Sequence, residues 1–316
     1  MTQPEFYNIV NMNDILVSIP QCSHFTIGTS PYYAHQHGLG IDIYQSLALE
    51  NYEAFSPISG TILMAKQLIA PKPKFLGGID KDYLILVSNT NNPNITYKIL
   101  HIKPEVKVGE KISIGNSLGK TIRNGYFATW SSPHLHLEIR HNHDAIRASG
   151  GIPFSLGIKN KLQNKITEPK ETYQFPFKIY SINSEFILGT FPKNLYFNIN
   201  HIYGVMGAIN GIKCIIDGGI PHYKNGTIIY THQMNLKEGD PIYLGTQIIG
   251  KIVEFREQFG FLKFERNIKF FLDDDEIRGI SLFLANSIPL IKIIPFKEQP
   301  PNIYEKSSSV LSICSS

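Results

Sequence analysis

Cysteine is scarce in this chain and carries no pattern: Cys22, Cys214 and Cys314 are odd in number, far apart, and never form Cys-x-x-Cys. That excludes a disulfide framework and a thiolate metal site, and the thiols read as reduced and incidental. Blocks of Lys and Arg are missing too, as is any basic stripe interleaved with aromatics. The formal net charge of +4 comes from dispersed residues, which argues against a nucleic-acid groove. The most apolar stretch, GISLFLANSIPLIKIIPF, is broken by Asn286, Pro289 and Lys292, so no membrane-spanning helix is expected. The opening MTQPEFYNIVNMNDILVSIP has acidic residues early and no basic start followed by an apolar core. It does not read as a secretory signal, and the expectation is a cytoplasmic protein or one exported by a non-standard route.

What the chain does have is strand-forming sequence. Its 316 residues, 42% of them hydrophobic, are enough for roughly two domains at ~150 residues each. Runs such as GTILMAK, DYLILVSN, ITYKILHI and GIKCII, punctuated by Gly, Pro and Asn, predict a mostly β protein with antiparallel sheets. Gly150 and Gly151 are followed by GIKNKLQNKITEPKETYQ, polar and without pattern. The predicted organisation is therefore a first domain over 1–155, a linker over 156–174, a β-rich accessory domain over 175–298 and a loose tail over 299–316. VKVGEKISIGNSLGK and LKEGDPIYLGTQIIGK share a turn, strand, Gly, strand layout, although any hairpin with glycine turns looks similar.

The segment SSPHLHLEIR sets His134, His136 and Glu138 on alternate positions, with Leu135, Leu137 and Ile139 between them. That is a strand with one polar and one apolar face. Such a pair of histidines can share a metal ion, or one can ligate while the other works on a substrate. His35, His37 and Asp42 in AHQHGLGIDIY and His101 in YKILHI add further nitrogen and oxygen donors of the kind zinc prefers.

Taken in order, these segments resemble the lysostaphin-type (beta-lytic) zinc metallopeptidases, which cut peptide cross-bridges of peptidoglycan. HGLGIDIY is similar to the first ligand segment, AFSPISGTILMAK to the Pro and Gly strand that follows, and YKILHI to the Tyr-x-His-Leu strand. VKVGEKISIGNSLGK resembles the Val-x-x-Gly hairpin and SSPHLHLEIR the closing His-Leu-His strand, with Ser132 where the family commonly has Gly. The resemblance covers about residues 25 to 140 and implies an antiparallel metallopeptidase domain of the duplicated hybrid motif type. It further implies that zinc is held by Asp42, His136 and a histidine of HQHG, with His134 and His101 catalytic.

His37 lies five residues before Asp42 and His35 seven. On a regular strand neither odd offset shares a face with Asp42. A bulge at Gly38-Leu39-Gly40 absorbs one residue at least cost, which makes His37 the preferred ligand and His35 the alternative. No His-Glu-x-x-His occurs, so histidine rather than glutamate is the expected base. Glu138 reads as an acceptor that orients a histidine, His141 and His143 as solvated, His201, His222 and His232 as surface or core residues, and Lys66 as a surface lysine.

The implied function is zinc-dependent endopeptidase action on short glycine or D-alanine peptide bridges. Its partner is a peptide or peptidoglycan-type substrate, and the accessory domain is open to binding a polymer or a protein. Two other classes compete: a non-catalytic binding or regulatory module that keeps the fold, and a phosphoryl carrier that uses His134 or His101 without metal.

Overall fold

The computed structural model describes residues 4–157, 174–231, 235–296 and 308–315. The protein is mostly β with antiparallel sheets. Contacts divide it into two compact units, Met1–Phe25 with Tyr33–Gly157, and Thr26–Tyr32 with Ile158–Ser316. Most of the expected linker and His232 lie outside the described residues.

In the first unit, β1 (Phe6–Met12) and β2 (Ile15–Pro20) form a hairpin and a single helical turn, α1 (Tyr33–Gln36), follows, while β3 (His24–Thr26) begins in this unit and ends in the other. Then come β4 (Gly40–Tyr44), β5 (Glu53–Phe55), β6 (Gly60–Ile69), β7 (Lys81–Asn89), β8 (Ile95–Leu100), β9 (Ile102–Pro104), β10 (Lys111–Ile112), β11 (Ser117–Thr121) and β12 (Leu135–His141). The main sheet runs β10-β6-β7-β8-β12-β4, and β11 pairs with β5 and β9 in a smaller sheet. Alternating apolar residues of these strands, among them Ile41, Ile43, Ile85, Val87, Ile99, Leu135, Leu137 and Ile139, are buried in the core. Removing that much apolar surface from water is the chief drive to fold the sheet.

The stretch before β4 departs from the expected bulged strand. Leu39 donates its N–H to the Ala34 carbonyl (2.7 Å) and Gly38 its N–H to that of His35 (3.3 Å). Gly38 has φ of 57°, a left-handed conformation that glycine adopts freely and that closes a helical turn. Gly38 therefore ends a helix here instead of opening a bulge.

The second unit packs apolar side chains, including Phe175, Phe177, Val205, Ile216, Ile252, Phe270 and Ile293, into one core. Asp217 is fully buried and accepts hydrogen bonds from the Thr26 and Thr227 hydroxyls and from the N–H groups of Ile27 and Gly28. The loose tail expected over 299–316 is corrected in its last part. Ser308–Ser315 form a strand that pairs with Gln174–Ile182 and Ile268–Leu272, because Leu311 and Ile313 carry apolar surface that the core takes up. The hairpin echo is visible at its turn: the Glu110 carboxylate accepts from Lys107 N–H (2.9 Å) and the Asp240 carboxylate from Lys237 N–H (2.8 Å). Gly109 and Gly239 have φ of 86° and 89°.

Candidate metal and catalytic site

Strand β12 lies between β4 and β8, with His136 directly opposite Asp42 on one side and Leu100 on the other. Alternation sends Leu135, Leu137 and Ile139 to one face and His136, Glu138 and Arg140 to the other. The polar face is buried nearly as deeply as the apolar one: His136 is 6% exposed, Glu138 3% and Arg140 0%. Ionisable groups at such depth must be paired or hydrogen-bonded, and here they are.

His35, Asp42 and His136 offer ligand atoms that all lie within 4.8 Å of one another. His35 Nε2 is 3.1 Å from both Asp42 Oδ1 and His136 Nδ1, and His136 Nδ1 donates to Asp42 Oδ1 at 2.7 Å. The structure brings His35, the alternative, and not the preferred His37, next to Asp42 and His136. Successive residues of a helical turn are rotated by about 100°, so residues two apart point to nearly opposite sides and only one of them faces β4. His37 is half-buried, with its ring 4.3 Å from that of Tyr33. Gly40 makes room for the His136 ring, since a Cβ there would lie 2.7 Å from His136 Cε1 and 3.1 Å from Ala34 Cβ.

Burial alone would raise the Asp42 carboxyl, but the charges of His134 and His35 and hydrogen bonds from His136 and His35 hold it well below the usual carboxylate range. Burial alone would likewise lower His136, yet the hydrogen bonds to Asp42 and Glu138 and their charges raise it to about 9. An ionised carboxylate oxygen and two imidazole nitrogens are the donor set zinc takes in catalytic sites, where three protein ligands leave a position for water. The residues present fit such an ion.

His134 and His101 stand beside this group, their ring centroids 5.4 Å apart and at an interplanar angle of 85°. His134 donates Nδ1–H to the Ser132 carbonyl (2.9 Å), which leaves Nε2 facing Asp42 Oδ2 at 3.5 Å. Phe127 and Tyr44 pack on its ring at 4.7 and 4.8 Å. Burial outweighs the neighbouring Asp42 charge and pushes its pKa down to about 4. Ser132 itself is buried, its hydroxyl donating to the Leu47 carbonyl (2.7 Å); that bond anchors the loop that holds His134.

His101 follows β8 and has φ of 70°. Its ring also meets Phe127 at 4.9 Å and lies 6.0 Å from that of His136. Its Nδ1 is 3.1 and 3.0 Å from the two carboxylate oxygens of Asp82, and its backbone N–H donates to Asp82 Oδ1 at 3.2 Å.

Behind His136, Glu138 accepts from His136 Nε2 (3.2 Å), Lys98 Nζ (2.9 Å) and Arg140 Nη1 (2.8 Å), the orienting role expected of it. Arg140 also donates to the carbonyls of Asp144, Ser149 and Gly150, tying that loop to the strand. Burial would raise Glu138, but the hydrogen bond from His136, its charge and Lys98 bring the pKa to about 2. Sequence reasoning did not pick out Asp82, Lys98 or Arg140. For Arg140 the signal was its place two residues after Glu138, on the polar face of β12.

The remaining residues fall largely as read. His141 and His143 are exposed and stack on each other with centroids 5.5 Å apart. His201 and Lys66 are exposed, and His222, which hydrogen-bonds Ser281 Oγ at 3.2 Å, is pushed down to about 3 by burial. Among the described residues, no helix is long and apolar enough to cross a membrane.

Residues 13–156 match the family described as a domain of unknown function (DUF8155), N-terminal domain. No curated protein matches the chain. Among solved structures it is similar to a complex of SpoIIIAH and SpoIIQ, at 17% identity and a TM-score of 0.29 over 44% of this chain and 96% of that one. A second structure, described as the SpoIIQ–SpoIIIAH pore-forming complex, gives 16% and 0.27 over 39% and 80%. The solution structure of lysostaphin gives 16% and 0.27 over 78% and 95%.

Proposed function

We propose that this protein is a zinc-dependent endopeptidase that hydrolyses short peptide cross-bridges of peptidoglycan type, with glycine or D-alanine at the cleaved bond. The observation that carries the reading is the convergence of His35, Asp42 and His136 on one point beside a second pair of histidines, His134 and His101. The substrate class rests on the ordered resemblance of the segments between about residues 25 and 140 to the lysostaphin-type peptidases.

His35, Asp42 and His136 would hold a zinc ion, which would act as a Lewis acid for the scissile carbonyl and lower the pKa of a water to about 7. The chain's own residues supply the proton handling. His134 receives a proton at Nε2, because its Nδ1–H is committed to the Ser132 carbonyl. Phe127 and Tyr44 shield its ring from solvent, which strengthens its electrostatic interactions. His101, which also packs on Phe127, hydrogen-bonds the carbonyl oxygen as charge develops there or gives a proton to the departing amine.

The test is elemental analysis of the purified protein with His136→Ala alongside, followed by assay on pentaglycine and D-alanyl-glycine peptides. One zinc per chain, lost in the variant, together with cleavage of either peptide supports the reading. Failure to take up zinc supplied at neutral pH overturns it. Zinc bound without cleavage of these peptides overturns the peptidase and leaves a metal-bearing binding module.

A further inference from the structure

Asp82 occupies an unusual position for a carboxylate. It lies near the start of β7 on the same side as Leu84 and Leu86, opposite Leu68 of β6, and is 2% exposed. An ionised group there adds nothing to apolar packing and carries a desolvation cost that only specific partners offset. Its partners are narrow in range: the Tyr83 N–H (2.8 Å), and both the backbone N–H and the ring Nδ1 of His101. Both carboxylate oxygens are within 3.1 Å of that one ring nitrogen.

His101 is itself held in a left-handed conformation, φ 70°, which costs a residue bearing a Cβ and persists only where the surroundings impose it. On a regular strand His101 would point to the face opposite Leu100. The left-handed turn carries its ring to the side where His134 stands, 5.4 Å away. Asp82 grips both the backbone and the ring of this residue.

We infer that Asp82 is a positioning residue for His101: it keeps the proton on Nδ1, so that the opposite ring edge, Nε2, is presented to the reaction centre beside His134. The inference rests on the peptidase reading above and assigns the two histidines different duties. His134, anchored by a neutral carbonyl, takes a proton from water at Nε2. His101, anchored by a carboxylate, carries a proton on Nε2 and passes it to the amine nitrogen as the C–N bond breaks. The overall change is peptide plus water to acid plus amine. Solvent restores the proton to His101 and removes the one on His134.

The experiment uses the zinc-loaded full chain and compares wild type, Asp82→Ala, Asp82→Asn and His101→Ala. Three quantities are read: zinc content, kcat and KM on the cleaved peptide, and the His101 ring nitrogens by ¹⁵N NMR. The expected result for Asp82→Ala is one zinc retained, KM within about threefold, and kcat lower by about 10²-fold or more, the span of one general acid–base contribution. The NMR signature of protonated Nδ1 at His101 should be lost. Added formate should restore part of the rate in Asp82→Ala and none in His101→Ala. Asp82→Asn keeps the shape, so it serves if the alanine variant fails to fold, with kcat expected to fall by at least about tenfold through loss of the charge. Unchanged kcat with unchanged Nδ1 protonation in either variant overturns the inference and leaves Asp82 a strand anchor. If the wild type cleaves no peptide, the functional reading fails, and the NMR signature still decides whether Asp82 sets the His101 tautomer.

Discussion

His35 Nε2 and His136 Nδ1 meet at 3.1 Å across 101 residues of sequence, with Asp42 Oδ1 within 3.1 Å of both. A one-turn helix and two adjacent antiparallel strands, β4 and β12, bring these atoms together. The site is thus a property of the sheet register and of the turn that precedes β4.

Replacing His35 with Ala should release zinc, whereas replacing His37 with Ala should leave metal content near wild type. Elemental analysis of both variants decides the point. Zinc kept by the first and lost by the second would restore the bulged-strand geometry.

His134→Ala should retain one zinc and lose hydrolysis by about 10² to 10⁴-fold, because the ring supplies proton transfer and not ligation. Metal content measured with kcat separates the roles. Loss of zinc in this variant would mean that His134 is a ligand.

Gly40→Ala places a methyl 2.7 Å from His136 Cε1, and the ring must turn away from Asp42 to admit it. Zinc affinity should weaken by about 10 to 100-fold, the usual effect of disturbing what orients a ligand. Competition with a chelator measures it. An unchanged affinity would show that the His136 ring does not depend on this clearance.

Glu138 makes stability depend on pH. Its folded pKa, about 2, is depressed from 4.5, so the stabilisation is fully present above the unfolded value and is lost as pH falls from about 4.5 through about 2. Its size is of the order of 3 kcal/mol for that shift. Urea unfolding of zinc-stripped wild type and Glu138→Gln across this range should show the difference between them shrinking towards acid pH. A constant difference would mean that the carboxylate is not ionised in the folded protein.

Much of the site was legible in the strand that carries it. The alternation His-Leu-His-Leu-Glu-Ile-Arg specifies β12 and its polar face without reference to any partner, because side chains on a strand alternate whatever lies beside it. Asp42 was legible through the resemblance of HGLGIDIY to the first ligand segment of the lysostaphin-type peptidases, and the spread of short apolar runs between turn residues foretold a mostly β protein. The final strand was misread as a tail because Ser307 to Ser309 and the prolines before them weigh heavily in composition. Leu311 and Ile313 gain burial only once Gln174–Ile182 and Ile268–Leu272 are beside them.

By itself, then, the sequence determined the strand content and the donor types, and the resemblance of its segments singled out Asp42, His134, His136 and His101. Only the tertiary structure set His35 rather than His37 beside Asp42 and His136, since the direction of a side chain depends on whether its backbone is helical or extended. The left-handed Gly38 and the bonds from Gly38 and Leu39 back to His35 and Ala34 close a helical turn there. The pairing of Asp82 with His101 was likewise decided in three dimensions. It requires the β7–β8 register and a left-handed residue at the end of β8, and neither leaves a periodic mark on the chain.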